Sequence, residues 1–175
     1  WGYASIREVT GRIPSITFSM EGDVFAPTGI NRERLWLHYN YLSVWDEPRP
    51  GRPHLPGYVF VAEALEVCRT IPDVEALLHE VDRDGGMLLF AVDGKTDEFA
   101  AFECPCSRHY RRDPVAGRLV GTNHYCACED LSLRDDEGCR SSLSRFARME
   151  GLLADLCAAP AARLPADLIA ILGDA

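Results

Sequence analysis

The sequence predicts an α+β fold in which helices pack on antiparallel strands. Three observations support this class: strand-like apolar segments come first, two helical segments follow them, and a meander of further strands then leads to a long amphipathic helix. Strands and helices therefore come in blocks, and they do not alternate in the β-α-β order that builds a parallel sheet.

Two strands and two helices are predicted in the first half of the chain. Apolar residues with polar insertions indicate strands over residues 13–18 and 35–42. Helical spacing predicts a helix over 59–69 and a second helix that begins after Thr70 and ends before a pair of glycines. The expected core face of the second helix is Val74, Leu77, Leu78 and Val81.

The second half is predicted to begin with a strand meander. Residues 87–92 and 98–104 read as a hairpin, because an Asp-Gly turn separates two apolar segments. A third strand is expected over 109–112 and a fourth over 118–122. These short connections favour antiparallel pairing.

Two helices are predicted to close the chain. The longer one covers residues 141–157 and the shorter one 165–172, with Pro160 as the break between them. We expect one side of the longer helix to pack in the core. That side consists of Leu143, Phe146, Met149, Leu152, Leu153 and Leu156.

Composition and charge limit the classes of function. The chain has 175 residues, 47% of them hydrophobic, which suits a single globular domain over residues 1–175. Its net charge of −9 argues against nucleic acid or an anionic membrane as the main partner, and no apolar run is long enough to cross a bilayer. We expect no cofactor and no bound metal, and homo-oligomers stay open.

The cysteines bear on the compartment. There are seven, an odd number scattered across apolar segments, and this pattern does not suggest a disulfide scaffold. A reducing compartment is the simpler interpretation. We therefore expect a cytoplasmic protein.

Two asparagines occupy positions that suggest a site. Asn40 is an amide within the apolar strand Leu-His-Tyr-Asn-Tyr-Leu, where it needs hydrogen-bond partners or costs about 1–3 kcal/mol. Asn123 ends a predicted strand in Gly-Thr-Asn-His-Tyr, where its NH₂ group can face a developing oxyanion. An ordinary turn explains the second segment equally well.

Arg145 is the third unusual residue. We expect Ser141 or Ser142 to cap the long helix, which places Arg145 in its first turn. A cation there opposes the helix dipole. The position of this cation therefore needs another explanation, such as a carboxylate partner or a thiolate that it stabilises.

Together, these segments resemble the cysteine-dependent N-terminal-nucleophile (Ntn) hydrolases related to acyl-CoA:6-aminopenicillanate acyltransferase and choloylglycine hydrolase. The resemblance rests on Gly-Ile-Asn at 29–31 leading into the strand with Asn40, on Thr-Asn-His-Tyr at 122–125, and on Ser-Ser-x-x-Arg-x-x-Arg at 141–148. It covers about residues 13–156.

The resemblance implies an αββα sandwich, with two antiparallel sheets between helix layers, and hydrolysis of a linear amide or acyl transfer from it. By resemblance, Asn123 would donate to the tetrahedral oxyanion, and Asn40 would help to form the same hole or fix the substrate amide. Arg145 would lie beside the nucleophile and lower its thiol pKa. The resemblance also implies a small-molecule amide or acyl substrate, and its expected contacts are Tyr39, His124 and Tyr125.

The sequence departs from the family pattern in three places. Arg34 stands where the family usually has Gly, which concerns the geometry of a turn, and the Cys-Ala-Cys at 126–128 is unusual. In the family, the first strand begins with a nucleophilic Cys, whereas Trp1 has no nucleophilic atom. We therefore expect this chain to be the C-terminal portion of an Ntn domain, with the first strand and its Cys upstream.

Three alternatives stay open at this stage. The two Cys-x-Cys pairs, at 104–106 and 126–128, could supply four thiolates to a metal near His109 and His124, although structural zinc prefers a longer spacing. An internal Cys could act as nucleophile, with one of these histidines as base. A catalytically inactive homologue could keep the fold and bind a small acyl or amide ligand.

Overall fold

The computed structural model describes residues 2–23, 25–44, 46–128, 139–158 and 169. Its main feature is an antiparallel sheet of seven strands in the order β1-β2-β3-β4-β7-β8-β9. The strands of this sheet are β1 Gly2–Arg7, β2 Ser15–Met20, β3 Thr28–Asn31, β4 Leu35–Leu42, β7 Gly86–Asp93, β8 Glu98–Cys104 and β9 Tyr110–Arg112. Two short strands, β5 His54–Leu55 and β6 Asp82–Arg83, form a parallel pair, and the helices are α1 Gly57–Val67, α2 Ile71–Glu80 and α3 Arg140–Ala158.

One face of the sheet, called the helix face from here on, packs against α1 and α2. Alternate strand residues point to opposite faces, and Leu35, Leu37, Leu89 and Phe102 point to this one. All four are 0% exposed, as is Phe60 of α1. Removal of these side chains from water makes the helix face the main hydrophobic core.

The start of α2 shows how local sequence determines this packing. The hydroxyl of Thr70 accepts a hydrogen bond from the Asp73 N–H at 3.3 Å, and the Asp73 carboxylate accepts one from the Thr70 N–H at 3.0 Å. This reciprocal capping box satisfies two N–H groups that a helix end leaves without partners. The predicted start of the helix is confirmed, whereas Val81 is its C-cap residue and not part of its buried face.

The opposite face is called the loop face, because residues 119–128 cross it without regular secondary structure. A second, smaller cluster forms there, in which Leu42, Leu88 and Ala101 pack with Tyr125. Over β1, β2 and β3 the loop face leaves large apolar side chains exposed. These are Ile6, Ile16, Phe18, Met20 and Ile30.

The α+β class with a large antiparallel sheet is confirmed, and so are β4, the β7–β8 hairpin, β9 and the three helices predicted within the described part of the chain. The predicted strand over 118–122 is wrong, because only Arg118 makes an isolated bridge, to Val115. Sequence patterns also missed β1 and β3. The turn between β3 and β4 contains Arg34, whose φ of 61° is the left-handed conformation that a glycine would adopt most easily.

Helix α3 begins earlier than predicted. The Cys139 carbonyl already accepts from the Leu143 N–H at 2.9 Å, so the helix starts at Arg140 and neither predicted serine is its cap. Arg145 therefore lies in the second turn. The predicted apolar side is only partly covered, since Leu143 is 40% exposed and Ser142 is the buried residue of the helix.

The described residues contain one large sheet and the β5–β6 pair, so the second large sheet of an αββα sandwich is not among them. The last predicted helix, over 165–172, lies outside the described residues except for residue 169. None of the described helices combines the length and apolarity that crossing a membrane requires.

Candidate active site

Residues 119–128 lie directly on the loop face, and a glycine permits their close approach. A Cβ added to Gly121 would lie 2.6 Å from Leu88 Cδ2 and 2.6 Å from Phe90 Cζ. No larger residue fits at this position without displacing the sheet side chains. The segment that carries Asn123 is therefore held against the middle of the sheet.

A buried carboxylate on β8 anchors the same segment. Glu103 is 0% exposed and accepts hydrogen bonds from the Cys126 N–H at 2.9 Å and the Ala127 N–H at 2.8 Å. Arg112 pairs with the carboxylate at 3.3 Å. Two N–H donors and a cation compensate the cost of burying the charge.

Ser142 joins this segment to helix α3. Its hydroxyl accepts from the Asn123 N–H at 2.6 Å and lies 2.8 Å from both Thr122 Oγ1 and His124 Nδ1. Thr122 Oγ1 in turn donates to the Ser142 carbonyl at 3.0 Å. The start of α3 and the segment around Asn123 therefore form one hydrogen-bonded unit.

Asn123 and Arg145 are in direct contact. The guanidinium Nη2 of Arg145 donates to Asn123 Oδ1 at 3.0 Å, and its Nε lies 3.5 Å from Ser141 Oγ. Asn123 Nδ2 donates to the Tyr41 carbonyl of β4 at 2.9 Å. Since an amide nitrogen carries two hydrogens, one remains to donate to a ligand.

Asn40 lies on the loop face of β4, one residue before the carbonyl that holds Asn123. It pairs directly with Leu88 in the sheet register, and its Oδ1 is 3.1 Å from His38 Nε2. Burial lowers the pKa of His38, although the bond to Asn40 opposes that shift. A neutral His38 donates to Asn40 Oδ1 through Nε2, which leaves the Asn40 NH₂ group available to a ligand.

The expected substrate contacts separate in the structure. His124 lies beside Asn123, and its ring meets the Phe146 ring edge-to-face at 5.2 Å. Tyr125 is 4% exposed, because its side chain packs between its own segment and the sheet. Tyr39 points to the helix face, where a Cβ added to Gly57 of α1 would lie 3.1 Å from its ring. The structure thus brings Tyr39 to the other side of the sheet from Asn40, Asn123 and Arg145.

A cleft of about 440 Å³ opens next to this unit, between β9, the turn after it and α3. Phe146, which contacts His124, forms part of its wall. Arg112 also lines it, with its guanidinium 5.9 Å from the Phe146 ring centroid. The cleft therefore adjoins the side of the site on which His124 lies.

The two Cys-x-Cys pairs form no metal-ligand group among the described residues. Cys104 packs in the helix-face cluster and Cys128 in the loop-face cluster. Across the described part of the chain, no three His, Cys, Asp or Glu side chains are grouped as metal ligands would be. His109 lies edge-to-face with His79 of α2 at 4.5 Å.

Sequence reasoning missed the residues that support the site. Glu103 is a charged residue in an apolar strand, and a charge in that setting needs partners even more than the amide of Asn40 does. Ser142 was read only as a helix cap. The Tyr41 carbonyl carries no sequence signal, because every residue has a backbone carbonyl.

The chain belongs to the acyl-coenzyme A:6-aminopenicillanic acid acyl-transferase family, whose model matches residues 9–174. This confirms the resemblance inferred from the three segments. No curated protein has a significant sequence match to the chain.

Solved structures with a similar fold include two of conjugated bile acid hydrolase from Clostridium perfringens, each with a TM-score of 0.59 and with 15% and 17% identity. Penicillin V acylase from Agrobacterium tumefaciens has a TM-score of 0.56 and 16% identity. The matches cover 92%, 95% and 93% of this chain, but only 63%, 64% and 54% of those chains. The chain thus spans less than two thirds of their length, and at these identities the likeness concerns the fold.

Proposed function

We propose that this chain forms the larger part of an Ntn amide hydrolase or acyltransferase that acts on a linear, non-peptide C–N bond. The observation that carries the proposal is the Arg145–Asn123–Tyr41 arrangement, which holds an amide donor at the end of β4. Membership of an acyltransferase family and the fold shared with a bile acid hydrolase and a penicillin acylase support the same chemistry.

In this proposal, the free hydrogen on Asn123 Nδ2 donates to the oxyanion of the tetrahedral intermediate. The Tyr41 carbonyl fixes the orientation of the amide, so no reorientation is needed when charge develops. Arg145 withdraws electron density through Asn123 Oδ1, which makes the opposite N–H a stronger donor. The NH₂ group of Asn40 acts as a second donor or holds the substrate amide.

The nucleophile in this proposal is an N-terminal Cys contributed by residues that precede Trp1. Its own α-amino group acts as the base, takes the thiol proton and later gives it to the leaving amine. Arg145 adds positive charge near the thiolate and thereby favours ionisation. His124 contacts the substrate from the side of the cleft, and Tyr125 supports the segment from below.

The first test uses the full-length gene product with penicillin V and a conjugated bile acid as probe amides. Asn123→Ala should lower kcat by about 10²–10³-fold, the usual loss for one oxyanion donor. Arg145→Ala should slow alkylation of the N-terminal thiol near neutral pH. Arg148→Ala is the matched control, because it removes an exposed arginine one turn along the same helix and should leave kcat within about twofold.

Two outcomes would contradict the proposal. One is an Asn123→Ala variant with unchanged kcat on a substrate that the wild type cleaves. The other is a mature N-terminus, read by mass spectrometry, that carries no Cys. The second result, together with ligand binding but no turnover, would favour the inactive homologue that binds an acyl or amide ligand.

A further inference from the structure

Cys126 differs from the other cysteines of the described chain in its exposure. Cys126 is exposed to solvent, whereas Cys157 is half-buried and the remaining five cysteines are buried. Burial raises the pKa of Cys68, Cys104 and Cys106 to about 12 in each case. Thiolates are the reactive form of cysteine, so those three buried thiols are poor nucleophiles near neutral pH.

A histidine lies within reach of the exposed thiol. His124 Nε2 is 3.5 Å from Cys126 Sγ, a distance suited to a hydrogen bond that involves sulfur. The backbone of Cys126 is held by the buried Glu103 carboxylate, which fixes the base of the side chain. The pair therefore rests on an anchored segment and not on a free loop.

The other ring nitrogen of His124 is held by two hydroxyls. Nδ1 lies 2.8 Å from Ser142 Oγ and 3.1 Å from Thr122 Oγ1. Thr122 gives its proton to the Ser142 carbonyl, and Ser142 can give its proton to Thr122 Oγ1 at 2.8 Å. With the Ser142 proton directed to Thr122, Ser142 Oγ accepts a hydrogen bond from His124 Nδ1–H. The Nε2 lone pair then faces the thiol and can accept its proton.

We propose that Cys126 and His124 form a reactive thiol–imidazole pair, and that Cys126 is a site of modification by low-molecular-weight disulfides. The arrangement of nucleophile, base and orienting hydroxyl is the one expected for an activated thiol. This inference does not depend on the proposed amidase activity, because it uses neither the upstream nucleophile nor an amide substrate.

The exchange reaction balances without a further reactant. His124 Nε2 accepts the thiol proton, and the Cys126 thiolate attacks one sulfur of the disulfide. A new sulfur–sulfur bond forms at Cys126 while the original disulfide bond breaks. The leaving thiolate takes the electron pair and receives the proton from His124. Cys126 is oxidised to a mixed disulfide, and the small disulfide is reduced to one equivalent of thiol.

The test measures labelling of the folded chain with 4,4′-dithiodipyridine and with glutathione disulfide, followed by peptide mapping. Cys126 should react about three- to tenfold faster than Cys157 near pH 7, because a larger thiolate fraction is partly offset by lower intrinsic nucleophilicity. Cys126→Ser should abolish the fast phase. Equal rates at Cys126 and Cys157 would overturn the proposal.

Two further variants separate activation from simple exposure. His124→Gln should slow the fast phase about three- to tenfold near pH 7, and the difference should disappear near pH 9.5, where the thiol ionises without help. Ser142→Ala should have a smaller effect in the same direction. A wild-type rate for His124→Gln near pH 7 would overturn the proposal. Labelling of the buried Cys68, Cys104 or Cys106 would report unfolding of the variant. Slower labelling that is confined to Cys126 therefore supports the proposal.

Discussion

Leu88 and Leu89 are neighbours in β7 and both are fully buried, but they face opposite sides of the sheet. Leu89 packs in the apolar cluster beneath α1 and α2, whereas Leu88 lies under an irregular segment held by hydrogen bonds to Glu103 and Ser142. The comparison shows two ways of covering a sheet. Regular helices supply apolar contact area, and an irregular segment depends on specific polar partners.

This difference also separates stability from function. The helix face offers side chains whose positions follow from close packing, which suits a core. On the loop face, residues 119–128 and the start of α3 carry amide, guanidinium, imidazole and thiol groups that are only partly buried or are exposed, so ligands can reach them. Irregular segments on a rigid scaffold commonly carry binding and catalytic residues.

The largest expected effect comes from truncating one leucine on each face. Leu89→Ala should reduce the free energy of unfolding by about 3–5 kcal/mol, because helices pinned on a sheet cannot collapse into the cavity. Leu88→Ala should cost less, about 2–3 kcal/mol, since residues 119–128 can settle onto the shorter side chain. Urea denaturation would measure both free energies of unfolding. A larger loss of stability for Leu88→Ala than for Leu89→Ala would contradict this difference between the two faces.

A smaller effect is expected from removing the charge that anchors the loop-face segment. Glu103→Gln retains one acceptor oxygen but loses the second, so the free energy of unfolding should fall by about 1–3 kcal/mol. Amide exchange at residues 126 and 127 should quicken more than exchange in α1. Glu98→Gln, an exposed change at the start of the same strand, should stay within about 0.5 kcal/mol. Unchanged protection at residues 126 and 127 would show that Glu103 is not the anchor.

The smallest expected effect is a pH dependence to which both faces contribute. Burial lowers the pKa of His38 on the loop face, and burial together with His79 lowers the pKa of His109, whose ring meets Phe102 on the helix face. Each folded-state pKa lies below its unfolded value of about 6.5, so below that pH the unfolded chain binds more protons. The contribution of His38 and His109 to the free energy of unfolding is thus fully present above about pH 6.5 and is lost as the pH falls.

Urea midpoints across this pH range would test the assignment. His38→Gln and His109→Gln should each flatten the loss of stability on acidification, because glutamine does not titrate. A double variant with the same pH slope as the wild type would attribute the dependence to carboxylates instead.

Much of the framework followed from local patterns. The limits of β4, the hairpin between β7 and β8, and the start of α2 at Thr70 all depend on residues close in sequence, where periodicity, turn chemistry and capping are decisive. The roles expected of Asn40, Asn123 and Arg145 came from residue types in an order resembling a family. Contact between Asn123 and Arg145 is compatible with those roles, which stay predictions.

Other features were decided only in three dimensions. Residues 118–122 have the composition of a strand, yet only Arg118 pairs, in an isolated bridge to Val115. Gly121 lets the segment lie flat on Leu88 and Phe90 instead. Side chains alternate between the two faces of β4, so Tyr39 points to the helix face and Asn40 to the loop face, although the two are adjacent in sequence.

Sequence alone determined the class of fold and the family, because both depend on patterns that repeat or keep a fixed order along the chain. The tertiary structure decided which groups meet. Glu103 reaches the Cys126 and Ala127 N–H groups across 23 and 24 positions, and Asn123 reaches the Tyr41 carbonyl across 82. Such contacts leave no local signal, since they arise from the register and facing of strands that only the assembled sheet defines.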